Sequence, residues 1–346
     1  MESQVVSGAK PDGVVMDILT GVAGSGGASA NTPEEASTVK QVMGMLAKGK
    51  MWKAPWGKNY DRWWNYWESN HYSGRPAHTL TQAIVNQVWS ACETFVAHIT
   101  EGLPEPLARA RMPEFKTKGK TISKWLTYEA DQNNLAQEME HPVRSAAVTG
   151  IGWVEIGWDE KKFGGRGDVA LIPRDEKFIF TSPHARNIQE SLYLIDASNI
   201  PRDVVLKMFP EKGPVVPPGI IDVSLENLRT YDDRGPMSSN AMQVSTTTGS
   251  DSTWINPAGG GLGLKKSDLV TFIKAYIRQD DGSMRLAIVC NGVLLQDGPS
   301  PYDDEDFPYA PVNILPTLDT IQGRGLIQFI EGLQDILNNS ISYLLD

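Results

Sequence analysis

The chain has 346 residues, of which 40% are hydrophobic and 21% are charged, so it can bury a substantial core and is not a disordered polymer. Its formal net charge of −10 argues against a protein that wraps nucleic acid, because many phosphate contacts require clustered Lys and Arg. An acidic surface repels phosphate, so DNA could pass close to the protein without being held.

Residues 1–30 are rich in Gly, Ala and Ser, which predicts a disordered N-terminal arm that buries too little side chain to offset its ordering. This terminus has no basic and apolar leader, and no run of about 20 apolar residues follows, so we expect synthesis in the cytosol and no membrane span. Cys92 and Cys290 lie in a helical and a strand pattern and are expected to be buried thiols.

A capping box at Thr32–Glu35, with Pro33 at the first helical position, predicts the first helix. Five of the ten tryptophans follow within residues 52–72, interleaved with Lys and Arg: Trp52, Trp56, Trp63, Trp64 and Trp67. Aromatic side chains beside cations can stack on bases or sugars. They also dominate subunit interfaces and cores, which we favour here, so these five are candidate interface residues.

Further helices are predicted by caps and periodicity. A capping box at Thr79–Gln82 predicts a helix that runs to Gly102, with an apolar stripe wide enough to be buried on more than one side. Another helix, near Ser123–Met139, is expected to break at Pro142 and to continue to Gly150.

Alternation of apolar and polar residues predicts a strand at Ile151–Trp158, with partners at Val169–Ile172 and Lys177–Phe180. A short helix is expected at Arg202–Phe209. Residues 235–264 are dominated by Ser, Thr, Gly, Asn and Pro, which predicts a long flexible loop.

The clearest β pattern is a meander whose tight turns are predicted at Asp281–Gly282 and Asn291–Gly292, because these residues tolerate positive φ. Its three strands are expected at Leu269–Arg278, Met284–Cys290 and Val293–Gln296.

The last helix is predicted at Gly325–Asp346. Its apolar positions, spaced by three or four, should pack on a core or on adjacent helices: Leu326, Ile330, Leu333, Leu337, Ile341 and Leu344. Its polar positions should face water, and they include Glu331 and Asp335 but no Lys or Arg. The helix ends without a capping residue, which suggests that the natural protein continues beyond it.

Catalytic chemistry is not indicated. Gly44–Lys50 has the spacing of a phosphate-binding loop, but Met51 replaces the Ser or Thr that would hold magnesium, and the segment has a helical pattern. The five histidines lack metal-ligand spacing, and Asp303–Asp306 is more consistent with a solvated acidic loop than with a calcium site. We therefore expect no enzyme activity, cofactor or metal.

The order of these elements resembles the wing and the start of the stem of tailed-bacteriophage portal proteins, over roughly residues 50–346. The resemblance is carried by a succession of short segments, which include Tyr60–Trp64, Gly150–Asp159, Thr181–Arg186, Pro308–Pro311, Gly323–Gln334 and Asn338–Ser342. It implies an α+β fold, in which a wing-like domain of mixed helices and antiparallel strands (31–316) leads into a long stem helix (317–346).

The same resemblance implies a homo-oligomeric ring, usually of twelve copies, at one capsid vertex of the virion, assembled from subunits in the host cytoplasm. DNA would be packaged and ejected through its channel, with Glu331 and Asp335 near that channel. The implied partners are the major capsid protein, the terminase and a neck or tail adaptor. The clip, the second stem helix and the crown of such proteins would follow Asp346.

Two other functions are compatible with the sequence. One is an aromatic-rich carbohydrate-binding or hydrolytic module, in which the clustered tryptophans would form a platform for sugar. The other is a different structural protein of the phage neck or ejection apparatus. Particle shape distinguishes all three, since a portal is expected to form closed rings with a central hole.

Overall fold

The computed structural model describes residues 31–72, 81–102, 105–220, 269–302 and 306–346. Within these ranges the chain combines helices with two antiparallel sheets, which confirms the predicted α+β class. The predicted arm (1–30), the predicted loop (235–264) and the expected helix cap at Thr79 lie outside the described residues.

The first helix, α1 (Pro33–Trp67), begins at the predicted capping box. The Thr32 hydroxyl accepts from the Glu35 backbone N–H at 3.3 Å, and the Glu35 carboxylate accepts from the Thr32 backbone N–H at 2.7 Å. The helix continues through Pro55 for 35 residues, so the tryptophan-rich segment is its second half. Gly44–Lys50 lies inside this helix, which agrees with its rejection as a phosphate-binding loop.

Two helix boundaries differ from the prediction. Helix α2 (Gln87–Glu101) begins after the N-cap Asn86, whose side-chain oxygen accepts from the Trp89 N–H at 2.9 Å, and residues 81–86 are extended rather than helical. Helices α3 (Lys116–Gln132) and α4 (Leu135–Thr149) are separated at Asn134 rather than at Pro142. Asn134 has a φ of 47°, in the left-handed region that Asn tolerates better than most residues.

A three-stranded sheet places β1 (Gly152–Asp159) between β2 (Asp168–Arg174) and β8 (Tyr309–Val312). The prediction that Lys177–Phe180 also pairs with β1 is wrong. That segment contributes β3 (Ile179–Thr181), which pairs with β4 (Tyr193–Pro201) in the other sheet. Strand β8 occupies the expected position beside β1 instead.

The second sheet has the strand order β3–β4–β5–β6–β7, and its other strands are β4 (Tyr193–Pro201), β5 (Leu269–Arg278), β6 (Met284–Cys290) and β7 (Val293–Pro299). The last three form the predicted meander. Both turns have the expected positive φ, with 88° at Gly282, 45° at Asn291 and 82° at Gly292. The short helices α5 (Lys162–Gly165) and α6 (Arg202–Met208) lie between strands.

The five-stranded sheet has a separate apolar core on each face. On one face α1 packs against the sheet, with Leu46, Tyr60 and Trp63 in one cluster with Ile195 and Ile273. On the other face Trp153 and Tyr309 of the three-stranded sheet join a second cluster. Cys92 and Cys290 are buried free thiols, as predicted, and burial raises the pKa of each thiol to about 12.

Buried charges also connect the two sheets. Glu155 of β1 accepts from the Arg174 Nε at 2.7 Å and from the Lys274 ammonium of β5, while Asp196 of β4 accepts from the Tyr309 hydroxyl at 2.9 Å. Burial acts to raise the pKa of Glu155, but Lys274 and Arg174 hold it below its usual value. The pairing of two carboxylates with two cations makes this burial tolerable.

A close backbone approach positions the last helix. Gly150 ends α4 with a φ of 99°, and a side chain added at Gly323 would lie 2.5 Å from the Gly150 carbonyl oxygen. The chain can pass here because neither residue carries a Cβ. Immediately afterwards the Leu326 N–H donates to the Ala147 carbonyl at 2.7 Å, and α7 (Ile327–Leu345) begins.

Candidate functional site

Helix α7 buries polar side chains at every fourth position. Gln334, Asn338 and Ser342 are only 3%, 1% and 6% exposed. These three, together with Asp346, each accept a backbone N–H from residues 81–87, which are the extended residues 81–86 and the first residue of α2. The donors alternate along that segment: Gln87 to Gln334 at 3.0 Å, Val85 to Asn338 at 3.2 Å, Ala83 to Ser342 at 3.1 Å and Thr81 to Asp346 at 2.9 Å. We call this set of bonds the polar ladder.

The polar ladder depends on a match between two repeats. Four residues of an α-helix rise about 6.0 Å, and two residues of extended chain span about 6.6 Å. Every fourth side chain of α7 therefore meets every second N–H of the segment. Because the segment has no strand beside it among the described elements, α7 supplies the acceptors that its backbone requires. This pairing explains why residues 81–86 are extended instead of helical.

His71 anchors the middle of the polar ladder. This side chain is buried, with Nδ1 2.7 Å from the Asn338 amide nitrogen and Nε2 2.9 Å from the Tyr66 carbonyl oxygen. A carbonyl only accepts, so Nε2 carries the proton and Nδ1 accepts from Asn338, which assigns the neutral ring. The imidazole also stacks on the Tyr66 ring at 4.9 Å. Helix α7 is thus joined to the end of α1 as well as to the segment before α2.

Because the polar side faces inward, α7 exposes much of its apolar side. Leu333 and Ile336 are 68% and 64% exposed, and further along the helix Leu344 is also exposed. Leu333 and Leu344 therefore do not pack on the chain's own core, and the alternative expectation, that they pack on adjacent helices of other subunits, stays a prediction. The expectation that Gln334, Asn338 and Ser342 face water is wrong, because backbone N–H groups satisfy them in the interior.

An apolar groove of about 610 Å³ runs between α2 and α7. Val88 and Phe95 line it from α2, and Ile330 and Leu337 line it from α7. The indole of Trp89, on the neighbouring turn of α2, is half exposed. We call this feature the α2–α7 groove, and together with the exposed leucines it forms a large apolar surface on a single chain.

The two acidic residues predicted near a channel both contact α1. Glu331 forms an ion pair with Arg62, and Asp335 accepts from the Tyr66 hydroxyl at 2.7 Å. Both carboxylates are half-buried. Their proximity to a channel stays a prediction, but part of their hydrogen-bonding capacity is used within the chain.

The five candidate interface tryptophans separate into two groups. Trp63 is 4% exposed and belongs to the core between α1 and the five-stranded sheet, so it offers no surface to another chain. The others are half-buried: Trp52, Trp56, Trp64 and Trp67. The Trp64 and Trp67 indoles donate to Glu176 at 2.9 Å and to Glu93 at 3.0 Å.

These contacts do not assemble the tryptophans into one exposed platform of the kind that a sugar would require. An interface role for the four half-buried tryptophans stays a prediction. Among the described residues no group of His, Cys, Asp and Glu has the arrangement of a metal site, and no described helix is long and apolar enough to cross a membrane.

Sequence reasoning did not identify the polar ladder or the outward apolar surface. One pattern could have indicated them: Gln334, Asn338 and Ser342 repeat every four residues, so they lie along one line of the helix. A polar line of this regularity has the same spacing as an apolar stripe and can equally be a packing face. Its partner, the backbone of residues 81–87, has no side-chain pattern that marks it as a donor.

Comparison with known families supports the interpretation drawn from the order of elements. The family described as phage P22-like portal protein matches residues 51–346, which is most of the chain. Comparison with curated proteins gives no match. The matched region begins within α1 and includes both sheets, the α2–α7 groove and the last helix. The chain belongs to the phage P22-like portal protein family.

Proposed function

We propose that this chain is the subunit of a closed ring at one capsid vertex, through which DNA is packaged and later ejected. The ring, of about twelve copies as is usual for portals, docks the terminase during packaging and a neck or tail adaptor afterwards, and it is held by the major capsid protein. It carries out no covalent chemistry. The support for this role is membership of the portal family together with the surface described above.

The observation that carries the proposal is the outward apolar surface of α7 beside the α2–α7 groove. A monomeric soluble protein seldom exposes a contiguous apolar patch of this kind, and such patches mark interaction sites. Burying Leu333 and Ile336 against another subunit would remove apolar area from water, at roughly 25 cal/mol per Å². In a portal this other subunit is a second copy of the chain.

The polar ladder is consistent with the same role. A helix that used its apolar residues on its own core would have none left for a neighbour. Here Ile327 is buried in the core at the start of α7, and hydrogen bonds and an ion pair attach the rest of the helix to its own subunit. Leu333 and Ile336 remain available. We propose that the polar contacts hold α7 in place on its own subunit before assembly. Assembly of the ring then buries the apolar side of the helix against the next subunit.

The test is the oligomeric state of a variant that carries Leu333→Asp and Ile336→Asp. Multi-angle light scattering and negative-stain images of the unsubstituted protein are expected to show closed rings with a central hole, and the variant is expected to remain in smaller species. Leu192→Asp is the matched control, since Leu192 is 66% exposed immediately before β4. A monomeric unsubstituted protein, or rings that persist in the double variant, would overturn the proposal.

A further inference from the structure

Residues 105–128 form a basic segment on an acidic chain, which we call the basic lobe. The segment contains six cations and two carboxylates, so its formal charge is +4, whereas the whole chain carries −10. Each of the six cations is exposed, and none of them forms an ion pair with another described residue: Arg109, Arg111, Lys116, Lys118, Lys120 and Lys124. Their positive charge is therefore directed at solvent.

The basic lobe has a defined backbone. The Ala108 N–H donates to the Ser123 hydroxyl at 2.9 Å, which ties the residues before α3 to its second turn. Gly119 is the one buried residue of α3, and a side chain added there would lie 3.2–3.3 Å from the backbone of Ala108 and Ala110. The cations are thus held by a folded unit.

Five of the six cations lie on one side of the lobe. Lys116, Lys120 and Lys124 recur every four residues, so they form a line about 12 Å long on α3. Gly119 lies about 60° around the helix from Lys116, at about 100° per residue. The segment that carries the two arginines packs on Gly119, so it runs beside the lysine line.

The lysine side of α3 carries no large apolar side chain. Ile122 and Trp125, which are 48% and 50% exposed, lie about 140–200° around the helix from Lys120. Carboxylates return only in the last turn of α3, at Glu129 and Asp131. The cores of protein–protein interfaces are enriched in aromatic residues and depleted in lysine. The lysine side therefore has the composition of a surface for a regularly charged polyanion rather than for another protein.

Duplex DNA has the charge that this side requires. It carries one phosphate per about 1.7 Å of its axis, so a length of about 12 Å presents about seven phosphates to the lobe. The net charge of the chain does not cancel this attraction, because salt screens charges that are more than about 8 Å apart at physiological ionic strength. Distant carboxylates therefore repel DNA weakly, whereas the lysines meet it directly.

We propose that the basic lobe binds the phosphate backbone of duplex DNA without regard to sequence. The proposal goes beyond the function given above, which assigns the ring a channel for DNA but no residues that hold DNA. Helix α3 packs on α4, whereas α7 packs mainly on α1 and α2. The surface that holds DNA and the acidic helix α7 therefore belong to different parts of the subunit.

The salt dependence of binding tests the proposal with the full chain. Fluorescence anisotropy follows a labelled duplex of about 20 base pairs between about 50 and 200 mM NaCl. Five phosphate contacts predict a slope of about −4.5 for the logarithm of the binding constant against the logarithm of the salt concentration, at about −0.9 per contact. Substitution of Lys116→Gln, Lys120→Gln and Lys124→Gln should reduce the slope to about −1.8 and weaken binding at 50 mM salt at least about tenfold.

The matched control removes the same number of charges outside the lobe. Lys40, Lys48 and Lys207 are exposed and form no ion pair with a described residue. The variant Lys40→Gln, Lys48→Gln and Lys207→Gln should keep the affinity and the slope of the unsubstituted protein. Both triple variants should keep its circular dichroism spectrum, since all six lysines are in solvent.

Three results would overturn the inference. They are an absence of DNA binding at 50 mM salt, an equal loss of affinity in the two triple variants, and tighter binding of a poly-glutamate peptide than of the duplex, which would identify an acidic protein as the partner. Electron micrographs separate this inference from the proposed ring. Rings that persist in the Lys116, Lys120 and Lys124 variant while DNA binding is lost are the expected result, whereas DNA binding by a chain that forms no ring counts against the ring alone.

Discussion

The two long helices of this protein use their side chains in opposite ways. Helix α1 turns aromatic residues inward, so that Tyr60 and Trp63 are buried against the five-stranded sheet. Helix α7 turns polar residues inward and leaves Leu333 and Ile336 in solvent. The difference teaches that a helix can be held on its own subunit mainly through apolar burial or mainly through hydrogen bonds to backbone. The second arrangement leaves apolar surface for assembly.

The largest expected effect concerns the inward side of α1. Trp63→Ala should lower the free energy of unfolding by about 3–5 kcal/mol, because it removes a large buried side chain and leaves a cavity. Denaturant unfolding measures this effect. Trp125→Ala, at a half-exposed position on α3, is the matched control and should cost far less. Equal losses for the two variants would contradict the assignment of Trp63 to the core.

A smaller effect is expected on the inward side of α7. Asn338→Leu should lower the free energy of unfolding by about 1–3 kcal/mol, although it adds apolar surface, because the Val85 N–H and the His71 ring lose a partner. Asn339→Leu is the adjacent control and should change stability by less than about 0.5 kcal/mol, since Asn339 is exposed. If the two leucine variants behaved alike, the polar ladder would not be holding α7.

A pH-dependent effect is expected where α1 and α2 meet. Hydrogen bonds from Arg144 hold the pKa of Glu93 below its ordinary value of 4.5, and the Trp67 indole contributes in the same direction. A depressed pKa in the folded state means that the stabilisation is present above pH 4.5 and is lost as the pH falls through the folded value.

This effect can be isolated by comparison with Glu93→Gln. The unfolding free energies of the unsubstituted protein and the variant should differ near pH 7 and converge in acid. The difference is expected to be modest because the Glu93 side chain is about 25% exposed, so solvent partly screens its ion pair. A gap that is constant from pH 7 to pH 3 would show that Glu93 does not act through its charge.

The smallest effect on stability is expected on the outward side of α7. Leu333→Asp should change the unfolding free energy of the dissociated chain by less than about 0.5 kcal/mol, because the side chain is already in water. Leu337→Ala, which lines the α2–α7 groove from a half-buried position, should cost more. A large loss of stability in Leu333→Asp would mean that this surface supports the subunit itself.

Local chemistry explains which elements could be predicted. The meander was predictable because Gly282, Asn291 and Gly292 accept positive φ through their own covalent structure. The start of α1 was predictable because Thr32 and Glu35 lie within one helical turn of each other. In both cases the residues that determine the conformation are neighbours in the chain.

The predictions from sequence were wrong where the conformation of a segment depends on residues far away in the chain. Strand β3 pairs with β4 rather than with β1, and the residue pattern of β3 does not indicate which strand it pairs with. Residues 81–86 are extended because α7 satisfies their backbone from about 250 residues further along the chain. Periodicity identified α7 itself, but it did not identify which side faces inward.

The sequence by itself determined that this chain folds as α+β, that a meander and a long last helix are present, and that their order is that of a portal subunit. Only the tertiary structure decided that Gln334, Asn338 and Ser342 are buried and that Leu333 and Ile336 are exposed. The physical reason is that the burial of a polar side chain depends on whether a distant backbone offers a hydrogen bond. Because the polar side of α7 faces inward, its apolar side is left on the outside, and this is the surface proposed to meet the next subunit.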